Sequence, residues 1–379
     1  MRGYVPALDG IRGVAVTAVV LVHLGLFLGV APTAPGWLNH VTGGQLGVDV
    51  FFVLSGALIT SLLLGEQTRT GSMRLSSFYV RRLRRLGPAL ALTLTAVAAV
   101  AVTYGHDALG PHPWLTGVAV GGFFGNWLSA NALGSLGWLS ATWSLAVEEQ
   151  FYLVWPVVLR TALRWRLRPR EVTLGLVTAL LFCQAYGVTA AEFTDPRRAY
   201  FHTPVRGVGL ALGCLVAMLV HYAPTSRLAR VLATTPLAAL AGIGTVYAAS
   251  QLGTDPRTLE RGGYLLVDAL AAIVIAHCFL RAGRRSAVTR VLAAPPLRGL
   301  GVISYGVYLF HVPVILGVVY AGRGHLSPST QIVVDIVATI ALATASYHLV
   351  ERPIRRGRRR VISLPPMHPE PVATAVAID

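Results

Sequence analysis

Two ionisable residues stand out in the first apolar stretch of the chain, Arg12 and His23. Their spacing is about three helical turns, or roughly 16 Å along a helix axis. Eleven steps of about 100° return to nearly the same azimuth, so on a helix both side chains look out from one face. The residues between them, Gly13 to Val22, are apolar or small. A histidine in the middle of a bilayer-length segment is costly to place and marks a functional site by default. Imidazole is suited to act as a base near neutral pH. Its plainer role is a neutral ring hydrogen-bonded to a neighbouring helix.

A second candidate is the run Arg81-Arg82-Leu83-Arg84-Arg85. Juxtamembrane arginines commonly set topology or touch anionic lipid. On a helix, however, Arg82 and Arg85 share a face, and a guanidinium fork matches phosphate bidentately. Pro88 follows, as it does in the first turn of a new helix, where unpaired backbone N–H groups favour anions. The pattern suits a phosphate-bearing donor entering from the cytoplasm.

Further polar residues fall inside apolar stretches. Asp49 and the pair Glu148-Glu149 are expected near the outer ends of their helices, where they could bind acceptor hydroxyls or orient an imidazole. Tyr305 and His311 lie on a later stretch, with His311 at a depth like that of His23. Adjacent glutamates cannot both face one point, so one of the two is expected in the site. The plainer alternative is an interhelical hydrogen-bond network holding a bundle together.

The elements that must position these residues follow from composition. Hydrophobic residues make up 54% and charged residues 13%, too few charges for a soluble surface. Apolar stretches of spanning length recur from end to end. The net charge of +16 is placed as a topology signal and not as a nucleic-acid surface. Ten spans are predicted, at 13–31, 46–65, 88–105, 147–163, 171–190, 206–222, 236–252, 264–281, 299–320 and 331–350. The stretch at about 114–133 is broken by glycines, and treating it as re-entrant leaves 26 of the 32 basic residues on the cytoplasmic side, as the positive-inside rule requires. The expected fold is an all-α polytopic transmembrane helical bundle, with about ten spans, one re-entrant segment and both termini cytoplasmic. Irregular backbone at membrane depth points to an internal cavity. Residues 1–355 form the membrane domain, and 356–379 a basic, then Pro-rich, disordered cytoplasmic tail. Ala31-Pro32-Thr33-Ala34 imitates a signal cleavage site, but Asp9, Arg12 and His23 argue against removal. Cys183, Cys214 and Cys278 lack metal-ligand or disulfide spacing and read as small core residues, and no metal is expected.

These residues together resemble acyltransferase family 3, the polytopic bacterial membrane acyltransferases that modify sugars and other hydroxyl-bearing acceptors. The resemblance runs from Leu8-Asp9-Gly10-Ile11-Arg12 to Glu351-Arg352-Pro353. It rests on Arg12-x10-His23, on Gly47-Val48-Asp49-Val50-Phe51-Phe52-Val53-Leu54-Ser55-Gly56 and on Arg82-x-x-Arg85. The Trp143–Tyr152 and Ser304–His311 segments complete it. The resemblance implies transfer of an acyl group, usually acetyl from acetyl-CoA, to a hydroxyl of a carbohydrate or glycosylated metabolite at the bacterial cytoplasmic membrane. It implies His23 as general base or transient acyl carrier, with Glu148 beside it as a catalytic residue. Arg12, Arg82 and Arg85 would hold the acyl-CoA donor, while Asp49, Tyr305 and His311 would bind substrate. Many relatives append an extracellular hydrolase-like domain. With none here, transfer is expected to finish within the membrane domain or on a separate partner. The rival reading is a transporter or flippase, since midplane ionisable residues and broken segments also mark substrate pathways.

Overall fold

The computed structural model describes residues 4–28, 43–104, 106–131, 136–252, 256–284, 286–321 and 326–356. The Ala31–Ala34 segment and the tail from 357 onward lie outside these residues. Among the described residues there is no strand. Ten long helices carry the fold: α1 (Pro6–Leu28), α2 (Gly47–Thr70), α3 (Leu75–Tyr104), α4 (Trp143–Arg164) and α5 (Pro169–Phe193). They continue with α6 (Thr203–Tyr222), α7 (Thr235–Leu252), α8 (Tyr264–Leu280), α9 (Pro295–Ala321) and α10 (Pro328–Ser346). Eight of them are long and apolar enough to cross a membrane, α4 and α7 being the other two. The protein is a polytopic all-α membrane bundle.

Several helices begin before their apolar windows. The largest difference is in α3, which starts at Leu75 and runs unbroken through Pro88. The arginine run therefore lies on the first turns of a continuous helix. No helix N-terminus, and so no backbone anion site, exists at Pro88. Arg82 and Arg85 do share a helix face as a consequence.

Two parallel helix pairs form the centre. Along α2 and α6, Asp49 meets Arg206, Thr60 meets Cys214 and Thr68 meets His221. Along α1 and α9, Gly13 meets Leu297 and His23 meets His311. Both pairs approach closely through small residues, as helices in lipid commonly do. A Cβ on Gly301 would fall inside the contact radius of Asp9 O, and one on Gly213 would overlap Val53 O.

The glycine-broken stretch forms two short helices, Pro113–Gly121 and Gly125–Asn131. Neither is long enough to cross about 30 Å of hydrocarbon. Between them Phe123 adopts a positive φ of 60°. The excursion starts and ends at one point, because a Cβ on Gly137 would lie 2.6 Å from both Ala108 O and Gly110 N. It therefore makes no net crossing, in keeping with the parallel run of α2 and α6. Its irregular link is exposed at Gly121, Gly122 and Phe124, and hydrogen bonds from the bundle hold it in place. Gln150 Nε2 donates to Phe123 O at 2.8 Å and to Asn126 Oδ1 at 2.9 Å. Asn126 donates to Phe201 O, and Thr203 donates to Gln150 Oε1 at 2.7 Å.

Candidate functional site

The chain returns from the excursion through a tight turn, Gly137–Thr142, that runs into α4 inside the bundle. Tyr308 of α9 fixes this turn, its hydroxyl donating to Ala141 O at 2.9 Å and meeting Ser144 Oγ at 2.6 Å. Trp143, the first residue of α4, is consequently buried. This corrects the depth expected for Glu148. It does not stand at the outer end of its helix but sits five residues into a helix that already begins within the bundle.

Glu148 lines a cavity shared by α1, α2, α3, α4 and α9, and Arg12, Arg82, Arg85, Tyr152 and Tyr305 line it too. Glu149 is not among the lining residues. The Glu148 carboxylate accepts from Ser55 Oγ at 3.0 Å and from Tyr152 OH at 2.9 Å, so both oxygens are held. The Arg82 guanidinium lies over the Tyr152 ring, 3.6 Å from its centroid, a cation–π contact that orients it. Arg82 Nε is buried with no hydrogen-bond partner, an N–H available to a ligand. Tyr305 OH donates to Leu86 O at 2.8 Å, tying α9 to α3 one turn beyond Arg82. Three guanidiniums and the Glu148 carboxylate line the cavity, with Glu149 acting electrostatically on Arg82 and Arg85, and guanidinium forks of this kind are suited to an anionic group.

His23 and His311 are not among the residues lining this cavity. They meet further along α1 and α9, ring centroids 4.8 Å apart at an interplanar angle of 80°. His23 Nδ1 bonds Val19 O at 2.8 Å and His311 Nδ1 bonds Tyr308 O at 2.7 Å. Tyr308 links the two places, lining the cavity while its ring lies 5.5 Å from that of His311.

Asp49 stands apart from both. Its Oδ1 accepts from Arg206 Nη1 at 3.0 Å, in an ion pair whose side chains are 1% and 3% exposed. Arg206 also donates to Tyr200 O at 2.8 Å and Tyr264 OH at 3.0 Å. The rings of Tyr200 and Tyr264 lie 3.9 and 4.0 Å from its guanidinium carbon. The Asp49 carboxylate is committed to this cluster and does not line the arginine cavity. Sequence reasoning passed over Arg206, Tyr152, Tyr308 and Ser55. Arg206 carried a readable signal, as a lone cation in an apolar stretch, whereas the tyrosines and serines lay within motifs already singled out. Among the described residues no group of three or more His, Cys, Asp or Glu is placed to hold a metal ion.

Residues 5–348 match the family model described as "Acyltransferase domain". The chain is 34% identical over 376 residues to "Peptidoglycan O-acetyltransferase OatA" of Listeria monocytogenes, covering 94% of this chain and 56% of that protein. It is 35% identical over 370 residues to "Putative peptidoglycan O-acetyltransferase YrhL" of Bacillus subtilis, covering 93% and 55%. With "O-acetyltransferase OatA" of Staphylococcus aureus it shares 30% identity over 364 residues, covering 93% and 57%. The chain thus spans rather more than half the length of these relatives. No solved structure matches it. With its ten-helix bundle, its arginine-lined cavity and a family match over nearly its whole described length, the chain belongs to the acyltransferase family that these proteins represent, as an integral protein of the cytoplasmic membrane.

Proposed function

We propose that this protein is a membrane O-acetyltransferase that moves an acetyl group from acetyl-CoA to a hydroxyl of a cell-wall carbohydrate. The observation that carries the reading is the cavity in which Arg12, Arg82 and Arg85 converge on one end of the bundle, below a pair of histidines. The names of the relatives support peptidoglycan as the acceptor class.

The arginines sit on the face that the positive-inside rule assigns to the cytoplasm, where acyl-CoA is available. Arg82 and Arg85 take the phosphates, and Glu148 holds Tyr152 beneath Arg82 so that the guanidinium keeps its place. The neutral pantetheine arm then extends along α1 past Tyr308, over the roughly 16 Å between Arg12 and His23. The acceptor hydroxyl approaches from the opposite side. Its oxygen attacks the thioester carbonyl as His23 Nε2 takes its proton. That nitrogen is free to do so because Nδ1–H is held by Val19 O. The C–S bond breaks, and the thiolate recovers the proton to leave as the free thiol.

The test is acetyl-CoA binding by the detergent-purified protein, followed by transfer of labelled acetate to purified peptidoglycan fragments. Arg82→Ala/Arg85→Ala weakens binding about tenfold or more, about 1.4 kcal/mol, while the protein stays folded. His23→Ala keeps binding and loses transfer. A folded wild type that does not bind acetyl-CoA, or a His23→Ala variant with full transfer, refutes the assignment.

A further inference from the structure

One motif of the sequence, Glu351-Arg352-Pro353, lines no part of the arginine cavity. It stands at the foot of a second cavity, of about 350 Å³, between α3, α9 and α10. Val97 and Phe310 are buried in its floor, and Trp138, which packs on Gly317, lines it too. Leu92, Leu342 and Leu349 line it while remaining 43%, 48% and 75% exposed. The cavity is therefore a groove open sideways at the bundle surface. Both α3 and α10 are apolar spanning helices, so that opening faces hydrocarbon.

The lining chemistry says what kind of group fills it. No charged side chain lines the groove, and its only hydroxyls are those of Thr93 and Ser346. Both are committed: Thr93 Oγ1 donates to Ala89 O at 2.9 Å and Ser346 Oγ to Glu351 Oε1 at 3.4 Å. Only the Trp138 N–H is left among the polar side-chain groups of the lining, whereas an ordered water needs about two to four polar partners. Sugars and nucleotides need more. An alkyl chain needs none. At about 30 Å³ for a group the size of a water, the space takes on the order of ten methylenes.

Charge says from which leaflet the chain comes. Just beyond Leu349 and Val350 stands Arg352, half-buried, on a segment that packs against α3. Among the described residues Arg352 makes no hydrogen bond or ion pair. Its neighbour Glu351 is buried and acts electrostatically on Tyr305 inside the bundle. The positive-inside rule assigns this end to the cytoplasm. A guanidinium matches phosphate, and basic positions at that surface hold anionic headgroups. The opposite end, at Trp138 and Val314, has no lining cation to receive an outer-leaflet phosphate.

We propose that this groove seats one acyl chain of an anionic phospholipid from the cytoplasmic leaflet, with the lipid phosphate on Arg352. The lipid becomes a wall of the bundle. Its chain closes the gap between α3 and α10 and packs on Phe310, the residue before His311.

The test is native mass spectrometry of the detergent-purified protein titrated with dioleoyl phosphatidylglycerol or dioleoyl phosphatidylcholine, with thermal melting in parallel. The wild type holds phosphatidylglycerol about tenfold more tightly and is stabilised by it. Ala345→Phe fills the groove from α10 and Ala96→Phe fills it from α3. Each, melting as a folded protein, binds phosphatidylglycerol about tenfold more weakly, about 1.4 kcal/mol. Ile243→Phe, a similar change on the exposed face of α7, leaves binding as it was. Arg352→Gln keeps the chain bound and removes the preference for phosphatidylglycerol. Equal retention of the two lipids by the wild type overturns the proposal, as does undiminished binding in the folded groove-filling variants. A preference that survives in Arg352→Gln overturns the headgroup assignment and the choice of leaflet with it.

Discussion

Replacing Arg206 by methionine is the most direct test of how the bundle is held together. The change keeps an unbranched apolar stem and removes the guanidinium. Three donated hydrogen bonds are lost, to Asp49 Oδ1, Tyr200 O and Tyr264 OH, together with the stacking of two tyrosine rings. The larger effect is on what remains. Asp49 is 2% exposed, and its second oxygen already lacks a partner. The nearby Asp268 is 1% exposed, with one oxygen equally unpartnered. Breaking a buried pair from one side costs about 3–5 kcal/mol, because the uncompensated charge stays inside. Adding Asp49→Asn to Arg206→Met removes that charge and leaves a neutral polar group, whose burial costs about 1–3 kcal/mol. The double variant is therefore more stable than the single one by about 2 kcal/mol. SDS titration of the detergent-solubilised protein, followed by Trp fluorescence, reads the order directly, since Trp143 packs against the cluster. An Arg206→Met variant within 1 kcal/mol of wild type, or a double variant less stable than the single, would refute the reasoning.

Two other outcomes follow from contacts described above. Gly301→Ala forces α9 away from Asp9 O on α1 and is destabilising by about 1–3 kcal/mol, with a parallel loss of transfer as His23 and His311 separate. Gly299→Ala, which meets nothing within 4 Å, leaves thermal stability unchanged or raises it by about 0.4–1 kcal/mol, so equal damage from both would rule out close packing as the cause. His202, just before α6, bonds Tyr186 OH through Nδ1 and stacks on Trp127, and burial lowers its pKa from the ordinary imidazole value of about 6.5. Between the lowered value and 6.5 the unfolded chain binds the extra proton, so stability falls as pH drops below 6.5. Melting curves at stepwise lower pH should show this loss, and His202→Gln should flatten it; an identical acid slope in the variant would discount the histidine.

Much of the architecture was legible because lipid allows so few solutions. Each of the ten expected spans corresponds to a long helix, since backbone groups in hydrocarbon must bond within their own segment. The break in the stretch at 114–133 was readable from its glycines. The functional residues were readable where their chemistry clashed with their surroundings, as with His23 among aliphatic residues. Partnership was not readable. Asp49 and Arg206 are 157 residues apart in the chain, and nothing local says that they meet. The depth of Glu148 was misjudged for a related reason. Counting inward from an assumed outer helix end fails when the chain re-enters and starts its next helix inside, as at Gly137–Thr142. Pro88 misled because one proline is compatible both with a helix start and with a long helix that passes through it.

The shared departure and return point of the excursion, where Gly137 packs on Ala108, separates length from orientation. Residues gained or lost between 110 and 136 alter what the bundle presents at that end, yet every later helix keeps its direction and every later arginine its side. Gln150, reaching from α4 to Phe123 and Asn126, fastens the insert together with Asn126, which donates to Phe201 O, and Trp127, which stacks on His202. Here the fold can change its outward contacts through this one segment without rethreading the chain, which leaves the histidine pair and the arginine cavity under selection of their own.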